Sequence, residues 1–197
     1  MITDGLTNAF KTERLLIRAF DSSEPQIKFI YEHIEADPVL SALAQPWMLR
    51  PQTQKHAEGV AEGLTKAVLS VALYLPASEP GAESKNKPDG KIDSRKKNGD
   101  EPVPIGILIV GWEGAPQWDQ AHHRSTTIGI SLAAEYQNQG YGREAINWAL
   151  DWAFRFGAFH SVRIATSSFN ERAQSLYLKL GFVEEGRDRE AFWFDRK

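Results

Sequence analysis

Apolar positions along the chain alternate between short strand-like runs and helical spacing. Apolar runs bounded by polar, glycine or proline residues predict strands over 14–20, 69–75, 105–114, 125–132 and 161–167. Apolar residues at helical spacing predict helices over 22–37, 52–68, 141–157 and 170–181. The Asp37–Pro38 pair is expected to end the first helix, and the residues from 182 onward again have strand character. This mixed order, with hairpin connections, predicts an α+β or mixed α/β fold.

One internal stretch differs in composition from everything around it. Residues 77–103 contain six basic and six acidic residues, several prolines and glycines, and one isolated isoleucine. Such a segment buries too little apolar surface to offset the entropy of ordering it. We therefore expect a single domain over 1–197 with a flexible insertion at 77–103, because long insertions between strands cost little free energy.

Composition and charge narrow the functional classes. The chain has 197 residues, a net charge of −3 and no cysteine, so disulfides, thiolate zinc sites and cysteine nucleophiles are excluded. The absence of a strong positive field gives no reason to expect nucleic acid or a membrane surface as a partner. The start of the chain has no basic segment followed by an apolar block, and no apolar run is long enough for a spanning helix. We expect a cytoplasmic protein.

The stretch "EYQNQGYGREA" (135–145) lies between a predicted strand and the clearest predicted helix. Its glycines match G-x-G-x-x-G/A, but the preceding residues are too polar for a buried strand end. A dinucleotide site also requires an acidic residue just after the next strand, and here the first carboxylate is Glu171. The same stretch also reads Q-x-x-G-x-G over 137–142. Backbone N–H groups at a helix N-terminus favour an anion, and glycines let a diphosphate approach closely.

The second reading resembles the acetyl-CoA diphosphate loop of the GNAT family of N-acetyltransferases. The run "NERAQSLYLKLGF" (170–182) resembles a second motif of that family, N-x-x-A-x-x-x-Y-x-x-x-G-F. The segment "TERLLIRAF" (12–20) resembles the opening strand of the branch that contains ribosomal-protein alanine acetyltransferases. The three segments occur in the family's order over most of the chain.

The resemblance implies a mostly antiparallel twisted sheet flanked by helices, with two parallel strands splayed apart at the cofactor site. It further implies direct transfer of an acetyl group from acetyl-CoA to a primary amine. The cofactor-binding residues it implies lie on one strand, in the loop, in the following helix start and in the second motif: Ile130, Leu132, Gln137, Asn138, Gln139, Gly140, Tyr141, Gly142, Arg143, Asn170 and Ala173.

Acid and base roles are less evenly supported. Tyr177 matches the family's general acid, which would protonate the departing thiolate. Asn170 is equally well suited to cap the helix that follows it. The position of the glutamate base found in several family members holds Thr126 and Thr127, so Glu113, His122, His123 or an ordered water are the alternatives. His122, His123 and nearby Asp119 are too few ligands to predict a metal site.

The acceptor is expected to be a protein N-terminal α-amine or a small-molecule amine. The resemblance implies a further strand after the segment "REAFWFDRK". Either that strand is missing from this sequence or the sheet closes differently. An open sheet edge is compatible with pairing to a partner, including a homodimer. A non-catalytic acyl-CoA-binding or sensing module is the alternative function.

Overall fold

A sheet, in which the described residues form five strands, lies at the centre of the protein. The computed structural model describes residue 3 and residues 6–44, 48–77, 101–111 and 123–191. The sheet order follows the chain order, and its strands are β1 (Leu16–Ala19), β2 (Leu69–Leu75), β3 (Val103–Val110), β4 (Ser125–Leu132) and β5 (Ser161–Arg163). The pairs β1–β2, β2–β3 and β3–β4 are antiparallel, whereas β4–β5 is parallel.

Both faces of the sheet are covered at its middle strand. Every residue from Ile105 to Val110 on β3 is buried. Since successive side chains of a strand point to opposite faces, neither face of β3 is open to solvent. The mixed sheet with helices against it agrees with the predicted fold class.

The described residues form five α-helices around this sheet. They are α1 (Glu24–Ile30), α2 (Pro38–Ala44), α3 (Gln54–Thr65), α4 (Tyr141–Arg155) and α5 (Glu171–Lys179). Helix α3 contacts β2, and α4 contacts β3, β4 and β5. Helix α4 buries Ala145, Ile146 and Ala149 completely, while the indole of Trp148 donates to the carbonyl of Ala9 at 2.7 Å. Phe156, the residue that follows the last residue of α4, is exposed.

The region after β1 differs from the prediction. The expected single helix over 22–37 is α1 followed by a π-helical segment, Tyr31–Glu35. Asp37–Pro38 ends this segment, but it also begins α2, which the sequence pattern did not predict. The Asp37 carboxylate accepts from the N–H groups of Val39 and Leu40 at 2.8 and 3.1 Å. Asp37 therefore acts as an N-cap, with proline at the first helical position.

Two strand predictions were too generous. Strand β5 ends at Arg163 rather than 167, because its pairing with β4 stops there. Residues 182–191 form no strand, and all of them except Phe182 are exposed, without a neighbouring strand among the described residues to supply hydrogen bonds. Strand β3 begins at Val103, two residues before the predicted start. Most of the predicted insertion, and the segment 192–197, lie outside the described residues.

No described helix combines the length and apolar character needed to cross a bilayer.

Candidate functional site

The loop between β4 and α4 contains two residues in the left-handed backbone region. A 3-10 turn over Ala134–Tyr136 follows β4, and Asn138 (φ 60°) and Gly140 (φ 86°) then redirect the chain into α4. Asparagine and glycine adopt this conformation at the least cost, which explains the residue types at these positions. The Q-x-x-G-x-G pattern therefore corresponds to a tight turn that leads directly into a helix N-terminus.

The first turn of α4 is uncapped. Gly140, the N-cap residue, has no side chain that could accept a hydrogen bond from the N–H groups of this turn. The first intrahelical hydrogen bond runs from the Glu144 N–H to the Gly140 carbonyl, at 3.1 Å. The N–H groups of Tyr141, Gly142 and Arg143 are thus the donors that a helix start leaves without an intrahelical acceptor. Such donors, together with the helix dipole, suit a bound anion.

The glutamine side chains of the loop bond within the loop. The Gln137 amide donates to the Leu132 carbonyl at 2.8 Å, and the Gln139 amide donates to the Glu135 carbonyl at 2.6 Å. These bonds hold the loop shape. Binding of a cofactor by Gln137, Asn138 and Gln139 remains a prediction. Because both glutamine amides already donate to carbonyls, backbone groups are the better candidates for such binding.

The pairing between β4 and β5 stops before the loop, which leaves a gap in the hydrogen bonding of the sheet there. The parallel pairing covers only Ser125 to Thr127 on β4, opposite Ser161 to Arg163. Further along β4, Ile130 and Leu132 pair with β3 on the other side, at Leu108 and Gly106. A Cβ on Gly142 would lie 3.6 Å from Leu132 and 3.7 Å from Leu176, so the loop, the end of β4 and α5 meet here. This is the splayed parallel pair that the resemblance implied.

Helix α5 carries the second predicted motif. Its N-cap is Asn170, whose side-chain oxygen accepts from the Ala173 N–H at 3.2 Å and whose amide reaches the Leu43 carbonyl at 3.5 Å. The capping role of Asn170 is therefore confirmed, and contact of Asn170 or Ala173 with a cofactor stays a prediction. Gly181 follows the helix with φ 90°, as a helix C-terminus favours.

Tyr177 is half-buried on α5. Its ring packs against Phe182 with centroids 6.0 Å apart. Burial raises the pKa of Tyr177 above the ordinary value of 10.0, because desolvation disfavours the phenolate. The phenol accordingly keeps its proton at neutral pH, as a general acid must. Its catalytic role is untested by this geometry alone.

Arg14 is the residue at this site that the sequence pattern missed. Its Nε and Nη2 both lie 2.8 Å from Oε2 of Glu144, and its Nη1 donates to the Gln139 carbonyl at 2.9 Å. The guanidinium carbon also sits 4.6 Å from the ring centroid of Tyr141. The segment 12–20 contributed only to a family resemblance, and nothing in its spacing places Arg14 beside a loop some 125 residues away.

Glu144 is the centre of this polar cluster. Its Oε1 accepts from the Thr12 hydroxyl and, at 2.8 Å, from the Arg14 N–H. Partial burial alone would raise the pKa of Glu144, but the hydrogen bonds from Thr12 and Arg14 and the positive charge of Arg14 outweigh it and lower the pKa. Glu144 is therefore ionised near neutral pH and firmly tied to the segment before β1.

Two of the three candidate base residues, Glu113 and His122, lie outside the described residues. Asp119, considered above only as a metal ligand, also lies outside them. Thr126 is buried and Thr127 exposed, and neither can act as a base. His123 is exposed. Within the part of the chain that the structure describes, no group of three or more potential metal ligands comes together.

Comparison with known proteins connects this geometry to a family. The model of the acetyltransferase (GNAT) family matches residues 79–182, just over half of the chain. The chain belongs to the GNAT family. The structure of a GNAT acetyltransferase from Bacillus anthracis superposes with a TM-score of 0.63 and 19% identity, over 90% of this chain and 84% of that one. The spermidine/spermine N-acetyltransferase SpeG from Vibrio cholerae, in complex with manganese ions, gives 0.57 and 22%, over 92% and 85%. At these identities the structural likeness concerns the GNAT fold.

Curated GNAT relatives match a shorter segment. Spermidine N(1)-acetyltransferase of Vibrio cholerae is 38% identical over 73 residues, which is 37% of this chain and 42% of that protein. The Escherichia coli K12 enzyme of the same name is 30% identical over 73 residues, 37% and 39% of the two chains. The match thus spans less than half the length of these relatives. They are spermidine acetyltransferases, so the resemblance to the ribosomal-protein alanine branch is not supported, while the GNAT assignment is confirmed.

Proposed function

We propose that this protein transfers an acetyl group from acetyl-CoA directly to a primary amine. The observation that carries the proposal is the uncapped start of α4 behind a left-handed Gly140, next to the gap between β4 and β5. In a chain of the GNAT family, this arrangement suits a diphosphate at the N–H groups of Tyr141, Gly142 and Arg143, with the pantetheine arm along Ile130 and Leu132. Acetyl-CoA would supply the activated acyl thioester.

The residues of this chain have distinct parts in the proposed reaction. The main chain of β4 beyond Thr127, unpaired toward β5 within the described residues, would hold the pantetheine amides in the gap. Tyr177 would donate its proton to the departing thiolate, and its raised pKa keeps that proton available. The amine nitrogen must be neutral when it attacks the carbonyl, and Glu113 or an ordered water would take its proton.

For the acceptor, we propose a small-molecule polyamine. The support is the identity of the curated relatives, which are named for spermidine. An alkylammonium group with a pKa near 10.4 is neutral in only about one of 2,500 molecules at pH 7, whereas an α-amine near pKa 8 is neutral in about one of ten. A polyamine acceptor consequently needs a base more than an N-terminal α-amine does.

The first test is a thermal-shift titration with acetyl-CoA, CoA and NAD. Wild type and Gly142→Trp are compared, since an indole at this position would fill the space between Leu132 and Leu176. A ligand at one hundred times its Kd stabilises the native state by about 2.7 kcal/mol. Stabilisation by acetyl-CoA in wild type that is lost in a folded Gly142→Trp supports the site. Absence of stabilisation by acetyl-CoA in wild type would remove the proposal.

The second test separates an enzyme from a binding module. Release of free CoA is measured with spermidine and with a peptide that has an N-terminal alanine. Turnover with spermidine supports the proposal, and turnover with the peptide alone would move the acceptor to N-terminal α-amines. Tight acetyl-CoA binding without turnover on either would favour a sensing module, which the threonines at 126 and 127 make worth testing. One solved spermidine N-acetyltransferase from Vibrio cholerae is described as dodecameric, so the assay should include a measurement of oligomeric state.

A further inference from the structure

Arg14 contacts the loop before α4 at Gln139 and the first turn of α4 at Tyr141 and Glu144. One guanidinium holds the Gln139 carbonyl, the Tyr141 ring and the Glu144 carboxylate at the same time. The planar fork of arginine can satisfy these directions together, whereas a lysine ammonium has neither the fork nor the flat stacking surface. Gly140, between two of these contacts, is so close that a Cβ there would lie 3.1 Å from Nη2 of Arg14. Arg14 therefore contacts the chain on both sides of the turn at Gly140.

The negative charge of Glu144 lies close to the proposed anion site, and Arg14 neutralises it. A carboxylate in the first turn interacts favourably with the helix dipole when the site is empty, but it repels a second anion bound at the same helix start. The salt bridge of Arg14 with Glu144, at 2.8 Å, compensates this charge where the phosphates would lie. The side chains are only partly exposed, 37% for Arg14 and 16% for Glu144, so solvent screens the pair incompletely.

We propose that Arg14 is a positioning residue for the anion site. It fixes the chain from Gln139 into the first turn of α4 and neutralises Glu144 so that a diphosphate can bind. The inference rests on the proposed function only in taking acetyl-CoA as the molecule that brings the diphosphate. Arg14 acts through the loop and through Glu144, and it needs no bond of its own to the ligand.

The experiment compares acetyl-CoA affinity in four variants by isothermal titration calorimetry. They are Arg14→Ala, Arg14→Lys, the double variant Arg14→Ala with Glu144→Gln, and Arg155→Ala as matched control. Arg155 also belongs to an ion pair on α4, with Asp151 at 2.9 Å, but at the far end of the helix. Urea unfolding of each variant shows which proteins remain folded at the temperature of the titration.

Arg14→Ala should raise the Kd for acetyl-CoA by roughly tenfold, because the Glu144 carboxylate is then left unneutralised near the bound diphosphate and the turn is no longer held. Arg14→Lys should fall between Arg14→Ala and wild type, because it restores the charge without the fork. The double variant should bind acetyl-CoA more tightly than Arg14→Ala, since removing the uncompensated carboxylate removes the repulsion. Arg155→Ala should bind as wild type does.

A purely structural tie would give a different pattern. The double variant would then bind no better than Arg14→Ala, because the tie is broken in both, and this result would overturn the neutralising role. A wild-type Kd in Arg14→Ala, or equal losses in Arg14→Ala and Arg155→Ala, would overturn the proposal altogether. If Arg14→Ala does not fold, the comparison of Arg14→Lys with wild type decides, with an unchanged Kd counting against the inference.

Hydrogen exchange of the free protein separates this inference from the proposed function. Amide exchange over 139–143 should accelerate in Arg14→Ala while exchange at the C-terminal end of α4 stays as in wild type. If wild type binds no acetyl-CoA, the proposed function fails and the exchange data still test positioning of the loop. Unchanged exchange over 139–143 would refute the positioning role whatever the ligand.

Discussion

Replacing Gly140 and Gly142 separately by alanine should change the stability of the protein in opposite directions. At Gly140, φ of 86° costs an L-residue about 1–2 kcal/mol, and the new Cβ would press on Nη2 of Arg14 at 3.1 Å. Reduced freedom of the unfolded chain returns only about 0.4–1 kcal/mol. We therefore expect Gly140→Ala to lower the free energy of unfolding by about 1 kcal/mol or more.

At Gly142 the same methyl group meets ordinary van der Waals contacts, 3.6 Å from Leu132 and 3.7 Å from Leu176. The residue is the second of α4, and in the middle of a helix alanine is favoured over glycine by about 0.5–1 kcal/mol. Gly142→Ala should consequently raise the free energy of unfolding by up to about that amount. For a chain of this size, 1 kcal/mol corresponds to roughly 2–4 °C in Tm.

Urea unfolding of wild type and the two variants measures these changes. Gly63→Ala on α3 is the matched control, because nothing lies within 4 Å of a Cβ at this helical position. It should stabilise the protein by about as much as Gly142→Ala, which calibrates the helical contribution. A Gly140→Ala variant as stable as wild type would show that the left-handed turn is not required by the fold. A Gly142→Ala variant less stable than wild type would contradict the expected gain in the helix.

Three further outcomes are expected. Tyr177→Phe should lower kcat by about 10²–10⁴-fold with little change in acetyl-CoA affinity. In the wild-type protein, kcat should not fall with rising pH until the pH exceeds 10, the ordinary pKa of tyrosine. A kcat of Tyr177→Phe equal to that of wild type would exclude the acid role. Because the folded-state pKa of Glu144 is lowered, the stabilisation by its carboxylate should be complete above the unfolded-state pKa of about 4.3 and decline as pH falls through the folded-state pKa. The difference in unfolding free energy between wild type and Glu144→Gln, measured from pH 6 to 3, should therefore shrink below about pH 4.3. A difference that stays constant over this range would contradict the prediction. Asn170→Ala should lower the free energy of unfolding, measured in urea, by about 1 kcal/mol through loss of the N-cap, whereas Asn170→Ser should keep most of the wild-type stability. Equal losses of stability in the two variants would assign Asn170 another role.

The elements with a strong local pattern were the easiest to predict. The strands over 69–75 and 125–132 have the predicted bounds, and α4 starts at the predicted residue. These segments combine strong apolar periodicity with glycine punctuation, so local sequence determines them. Gly140 signalled the turn for the same reason, since few other residues adopt its conformation.

Elements that depend on distant partners were harder. The extent of β5 is determined by where β4 diverges from it, which a periodicity over 161–167 does not report. Helix α2 was missed because Asp37–Pro38 was interpreted only as a helix end, although the same pair can cap a new helix. Arg14 and Glu144 carry no pattern that links them, since their meeting is a property of the folded chain.

The contacts between the N-terminal segment and α4 also have a consequence for the order of events during biosynthesis. Thr12 and Arg14 meet Glu144 across 132 and 130 residues of chain, and Ala9 meets Trp148 across 139. At a translation rate of about 5–20 residues per second, the first of these groups waits on the order of ten seconds for its partner to be synthesised. The loop before α4 thus reaches its final form late on the ribosome, and the early N-terminal residues must stay available until then.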